Sequence, residues 1–115
     1  MSKTAVRSIT ALVIITLATG LALAQSGKTK TLQGKVFGSN DAPISGAIVY
    51  LENDKTKDIR SFISIADGSY RFGQLAPDTD YKVWARYKNE KSGTKAVSSY
   101  DSRTQLVINL NIKTK

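Results

Sequence analysis

The side chains that carry most acid–base and metal chemistry are missing from this chain. It contains no histidine and no cysteine. Without imidazole it lacks the usual general base near neutral pH and the usual zinc ligand. Without thiols it has no thiolate nucleophile, disulfide or Cys-based metal site. The carboxylates are Asp41, Glu52, Asp54, Asp58, Asp67, Asp78, Asp80, Glu90 and Asp101. Most lie in turn-prone stretches, where Asp caps backbone N–H groups. A glycosidase needs two carboxylates flanking one bond, and no spacing here pairs them. Ser61, Ser64, Ser98 and Ser99 have no histidine to activate them. Asp78 and Asp80 offer two oxygens to a calcium ion that takes roughly six to eight, and no D-x-D-x-D-G run accompanies them. The expectation is a chain with no catalytic residue, no metal site and no cofactor.

The aromatic residues carry more information. Trp84, the sole tryptophan, sits between Val83 and Ala85. On a strand whose Val83 and Ala85 face a core, Trp84 faces outward, with Lys82 and Arg86 on the same face. Phe37 and Tyr50 fall on the outward phase of their own segments. Trp84, Lys82, Arg86, Tyr50 and Phe37 form the candidate binding face. Exposed aromatics anchor protein partners or stack on the apolar faces of sugars. The structural reading is that Trp84 packs across strands, with basic stems lying over it.

Strands must position these residues, because apolar and polar residues alternate with a period of two. Leu32, Gly34 and Val36 share a first face, and Ala47, Val49 and Leu51 a second. Residues 62–65 make a third strand of open register. Tyr70 and Phe72 belong to a fourth, and Tyr81, Val83, Ala85 and Tyr87 to a fifth. Residues 96–100 form a weaker sixth. Leu106, Ile108, Leu110 and Ile112 alternate most clearly, with Val107, Asn109 and Asn111 outward. Turn chemistry separates them: residues 39–43, 53–55, Asp67-Gly68, residues 76–80 and 89–93. Seven short strands at this spacing predict an all-β sandwich or barrel.

The motif order speaks to the fold and is nearly silent on function. Gly34-Lys35-Val36 precedes Pro43-Ile44-Ser45-Gly46-Ala47-Ile48-Val49-Tyr50-Leu51. Ala66-Asp67-Gly68-Ser69-Tyr70-Arg71-Phe72, Leu75-Ala76-Pro77 and Tyr81-Lys82-Val83 follow. This order resembles the carboxypeptidase regulatory-like domain family from about Thr31 to Tyr87. The resemblance implies an all-β, seven-stranded, antiparallel-dominated, transthyretin-like β-sandwich used as an accessory module. Two positions depart from the family pattern. Asp78 replaces the glycine after the loop proline, and Ser64-Ile65 replaces a threonine–aspartate pair before the turn. Lys35 on the first strand and Asn109 or Asn111 on the last bring to mind a Lys–Asn crosslink found in some pilin sandwiches. Alternation turns all three outward, which disfavours it.

The N-terminus reads as an export signal. Lys3 and Arg7 precede an uncharged stretch over residues 8–27, apolar through most of residues 9–23. Ala22-Leu23-Ala24 supplies the small-x-small site, so cleavage is expected between Ala24 and Gln25. An uncleaved anchor is the competing reading. The expected organisation is a signal peptide over 1–24 and one sandwich domain over 25–115. The domain carries fifteen basic and nine acidic residues in no block of like charge, which suits solubility. The function expected is an exported, non-catalytic module, periplasmic or extracellular, at a bacterial cell envelope. It would contact a protein partner, with carbohydrate binding around Trp84 as the alternative. Nucleic acid is not expected, nor the membrane once the signal is removed.

Overall fold

The computed structural model describes residues 29–114. The expected signal segment and its cleavage site lie outside them. Nine strands run in chain order: β1 (Lys30–Phe37), β2 (Ile48–Asn53), β3 (Ile59–Ile63), β4 (Ser69–Leu75), β5 (Tyr81–Tyr87), β6 (Glu90–Lys91), β7 (Lys95–Val97), β8 (Gln105–Val107) and β9 (Leu110–Asn111). They form two sheets. In the first, β1 lies between β4 and the β8–β9 segment. In the second the order is β3-β2-β5, and β6 and β7 share the far side of β5. All pairings are antiparallel except those of β1 with β8 and β9. The fold is the expected all-β sandwich.

The strand count exceeds the expected seven for two physical reasons. The expected sixth strand over 96–100 is the shorter β7, with residues 98–100 in a turn, and an additional two-residue strand, β6, forms within the expected loop 89–93, with Ser92 between the two pieces. Ser92 is buried there, and its hydroxyl accepts the Ala85 N–H at 2.8 Å. A side chain thus fills the ladder position between the two pieces. The last strand is split at Ile108 and Asn109, although its inward–outward alternation continues through the break.

That break has a specific cause. In a parallel pair, Ile108 should donate to Gln33 and accept from Lys35. The first bond forms, Ile108 N to Gln33 O at 2.9 Å. The second does not. The Ile108 carbonyl instead accepts the Tyr70 hydroxyl at 2.6 Å. The Lys35 N–H is satisfied by the Asn109 side-chain oxygen at 3.0 Å. The redirected carbonyl lies over Gly34, where any Cβ would collide with it.

The core is drawn from both sheets. Leu32, Val36, Phe72, Leu75, Leu106, Leu110 and Ile112 come from the first sheet and its flanking segments. Val49, Leu51, Tyr81, Val83 and Ala85 come from the second. The expected inward residues of the first, second, fourth and fifth strands are found there, except that Gly34 lies outside the buried core and Tyr87 only packs against it, half-buried. The third strand starts earlier than its expected span of 62–65, with Phe62 its inward residue, half-buried against the core.

Two turns close this core. Gly68 takes φ +84, and its carbonyl accepts the Val36 N–H at 2.9 Å. A Cβ there would meet the Val36 carbonyl oxygen at 2.7 Å, so Gly68 serves both the turn and the close approach. Ser64, one of the family departures, is buried and clamps the loop before β2. Its hydroxyl accepts from Ala47 N at 2.9 Å and donates to Ile44 O at 2.7 Å.

Two outcomes follow for stability. Gly34→Ala should destabilise by about 3 kcal/mol or more in urea unfolding, because rigid backbone rather than a flexible side chain fills the site. Tyr70→Phe should cost about 1–2 kcal/mol by orphaning the partly buried Ile108 carbonyl. Burial also pushes the Tyr70 phenol well above its ordinary value of 10.0. The unfolded chain then ionises first as pH rises, so stability should fall once pH passes the ordinary value. Tyr70→Phe should remove its share of that alkaline loss, read from unfolding midpoints across the alkaline range.

Candidate functional site

The outer face of the second sheet is built by residues that alternate with the core. Ile48, Tyr50 and Glu52 come from β2, Ile59, Ser61 and Ile63 from β3, and Lys82, Trp84 and Arg86 from β5. The register arranges them in rows: Ile63–Ile48–Arg86, Ser61–Tyr50–Trp84 and Ile59–Glu52–Lys82. Tyr50 and Trp84 stand directly opposite each other and stack, with centroids 5.5 Å apart and planes 22° apart. From the other side of β5, Lys91 places its ammonium 5.5 Å from the Trp84 ring centroid. Trp84 is half-buried, held between a neighbouring ring and a lysine stem.

Charge is arranged around this pair. Lys82 is 3.3 Å from Asp54, which also meets Lys57 at 3.2 Å. Hydrogen bonds from those two lysines hold the Asp54 carboxyl below its ordinary value. Arg86 faces Lys91 across the β5–β6 pair. Neither forms an ion pair among the described residues.

Four of the five expected site residues, Trp84, Lys82, Arg86 and Tyr50, therefore share one face. Phe37 does not. It lies on β1, in the other sheet, paired with Asn111 and bridged to Pro43. Outward phase places a residue outside its own sheet without saying which sheet that is. The exposed isoleucines Ile48, Ile59 and Ile63 were missed. A signal for them exists in the sequence, since the segments Ile48–Asn53 and Ile59–Ile63 carry apolar residues on both phases.

An open cleft of about 740 Å³ lies against the first sheet, lined in part by Gln33, Lys35, Arg71, Val107 and Asn109. Lys35 and Asn109 are brought side by side here, both exposed. The Lys35 ammonium lies 3.9 Å from Asp67, and its backbone N–H takes the Asn109 oxygen. Asp78 and Asp80 gather no metal site. Among the described residues no three acidic, His or Cys side chains cluster. Asp80 instead accepts the Ser99 N–H at 2.6 Å, tying down the segment after β7. Asp101, bridged by Arg103 at 2.6 Å, is held at a pKa of about 2 by that guanidinium.

Two packed sheets with a turn-clamped loop and a parallel closing strand define a transthyretin-like sandwich module. The sequence match is more specific: residues 31–112 match the carboxypeptidase regulatory-like domain, and the chain belongs to that family. No curated protein matches it in sequence. Solved structures share the fold at low identity. The BcpA major pilin subunit of Bacillus cereus aligns with a TM-score of 0.61 and 11% identity, over 76% of this chain and 31% of the pilin. Catechol 1,2-dioxygenase of an Acinetobacter species, inhibited by bound mercury, gives 0.58 and 13%, over 76% of this chain and 53% of the enzyme. This chain thus spans about half of that enzyme's length. The dioxygenase domain of a dioxygenase–carbohydrate-binding fusion from a Streptomyces species gives 0.57 and 15%, over 79% and 84%. At these identities the likeness is one of fold alone.

The stacked pair should act as a unit. Trp84→Ala should cost about 2 kcal/mol through lost ring contact. A double-mutant cycle with Tyr50→Ala should give a coupling of about 1 kcal/mol in urea unfolding. Additive single losses would mean the rings do not support each other.

Proposed function

We propose that the protein is an exported, non-catalytic binding module of a bacterial cell envelope, contacting a protein partner through the outer face of β3, β2 and β5. The observation that carries this reading is the Tyr50–Trp84 stack flanked by exposed isoleucines. Protein interfaces favour buried aromatic anchors beside aliphatic side chains, with Arg at the rim. Trp84 has Tyr50 against it from β2 and Lys91 over it from β6. A sugar needs a free ring face to stack on, so this arrangement suits a flat protein contact better. The non-catalytic part rests on residue types. No histidine or cysteine is present, and the resolved hydrogen bonds commit the buried Ser64, Tyr70 and Ser92 to the backbone. Export rests on Lys3, Arg7, the apolar stretch and the Ala22-Leu23-Ala24 site.

Expression in a bacterial host should yield an exported protein whose N-terminal residue is Gln25, read by intact mass. Its tryptophan emission reports Trp84 alone, and envelope polysaccharides should leave that emission unmoved. A photo-crosslinker at Ile48 should give one defined protein adduct in cells, lost in Arg86→Glu. A saturable emission shift on adding polysaccharide, with no protein adduct, would replace this reading with the glycan one.

A further inference from the structure

A sandwich of two open sheets has four edges, and three of these are blunted. β4 carries the positive-φ residue Gln74 within its last turn of strand and an irregular register against β1. The β8–β9 edge is broken at Ile108 and Asn109. The β6–β7 edge is split into pieces of two and three residues, with Ser92 between them. Interruptions of this kind are how native edges avoid pairing with other chains.

The β3 edge carries none of them. It is five continuous residues, Ile59-Arg60-Ser61-Phe62-Ile63, with no proline and no positive φ. Its one charge, on the exposed Arg60, reaches over to β4. The Arg60 guanidinium donates to the Gly73 carbonyl at 3.0 Å and lies 5.5 Å over the Phe72 ring. The residues left facing outward are Ile59, Ser61 and Ile63, with the two isoleucines 54% and 63% exposed.

The hydrogen-bond phase of this edge follows from its ends. Ser64 N donates to Ala47 O, and Asn53 N to Asp58 O, both at 2.8 Å. In the register between them, Val49↔Phe62 and Leu51↔Arg60 are the hydrogen-bonded pairs. The N–H and C=O groups of Ile59, Ser61 and Ile63 therefore point away from β2, along the open edge.

We propose that this edge pairs with the β3 edge of a second copy of the chain, antiparallel, with Ser61 at the two-fold axis. The segment reads the same in both directions in the terms that matter. Ser61 meets the partner's Ser61, and Ile59 meets the partner's Ile63. These are the residues whose backbone groups are free, so all three pairs, counting Ile63 with the partner's Ile59, exchange hydrogen bonds. Arg60 falls opposite the partner's Phe62 on the inner side, a cation facing a ring rather than a like charge. Shifting the axis to residue 60 sets Arg60 against the partner's Arg60 and leaves Ile63 unpaired. Shifting it to residue 62 leaves Ile59 unpaired. On the outer face, Ile48 and Ile63 join the partner's Ile59 in one apolar row. Two five-residue strands bury less than a standard interface, so the dimer is weak and populated only at high protein concentration. The inference does not depend on which partner the Trp84 face takes.

Ser61→Cys tests it, since this introduces the only thiol in the chain. In a hydrogen-bonded antiparallel pair the Cα atoms are about 5.5 Å apart, within disulfide range. In oxidised glutathione buffer the variant should form a covalent dimer several-fold faster than Ser102→Cys, a control in an exposed loop. Wild-type protein should sediment as a monomer–dimer equilibrium at millimolar concentration. Ile63→Lys should shift it to monomer with its melting temperature unchanged, because that side chain is largely exposed. Wild type that stays monomeric at millimolar concentration, crosslinking at the control rate, or a dimer indifferent to Ile63→Lys would each overturn the proposal.

Discussion

One redirected carbonyl organises the first sheet. The Ile108 C=O leaves the parallel ladder and takes the Tyr70 hydroxyl instead. Three residues make that exchange free of an unsatisfied group. Gly34 has no Cβ in the way. Asn109 replaces the lost acceptor for the Lys35 N–H. Tyr70 brings its donor across from β4. Even a partly buried carbonyl left without a partner would cost about as much as a typical hydrogen bond returns. The bond from Tyr70 therefore ties β4 to the last strand across β1, linking both neighbours of the central strand.

The second sheet is arranged differently. Its central strands, β2 and β5, pair over six positions without interruption. Side-chain hydroxyls take over at its margins, with Ser64 holding the loop into β2 and Ser92 standing in the ladder beside β5. Those hydroxyls leave the pairing in the middle of the sheet regular. A regular antiparallel pair sets Tyr50 directly opposite Trp84, and their stack is a consequence of that register. The exposed platform and the buried core are two phases of the same strands, so a shift in register would destroy both.

Much of this was legible in the sequence, for identifiable reasons. Alternation with a period of two placed Leu32, Val49, Phe72, Val83 and Leu110 in the core, since burial enforces that pattern. Asp67-Gly68 marked its turn because positive φ restricts the residues that fit. The breaks were not legible. Nothing in Leu106 to Ile112 announces a peptide turned out of its ladder, because the side chains keep alternating through it. Ser64 read only as a departure from the family pattern, yet its hydroxyl makes the clamp. Phe37 was assigned to the Trp84 face because phase gives the side of a strand and topology gives the sheet. The short apolar runs on β2 and β3 hid their exposed isoleucines, since a strand buried on both faces would read the same way.

The two outward features of the second sheet differ in what their physics asks of a partner. Around Trp84 the side chains already satisfy one another: ring on ring, lysine over ring, Lys82 on Asp54. A partner there gains contact area over a preorganised surface and loses little entropy in ordering it. The outward backbone groups of the β3 edge face no neighbouring strand among the described residues, and two of its three outward side chains, Ile59 and Ile63, are stiff at χ1. Its backbone groups prescribe direction and spacing, so only an extended segment in phase with them fits. Affinity at the first surface is governed by shape and apolar area, and at the second by register. A single sheet thus presents two recognition surfaces that share the exposed isoleucines but have different centres, because Trp84 lies on β5 and Ser61 at the far edge, with β2 between them.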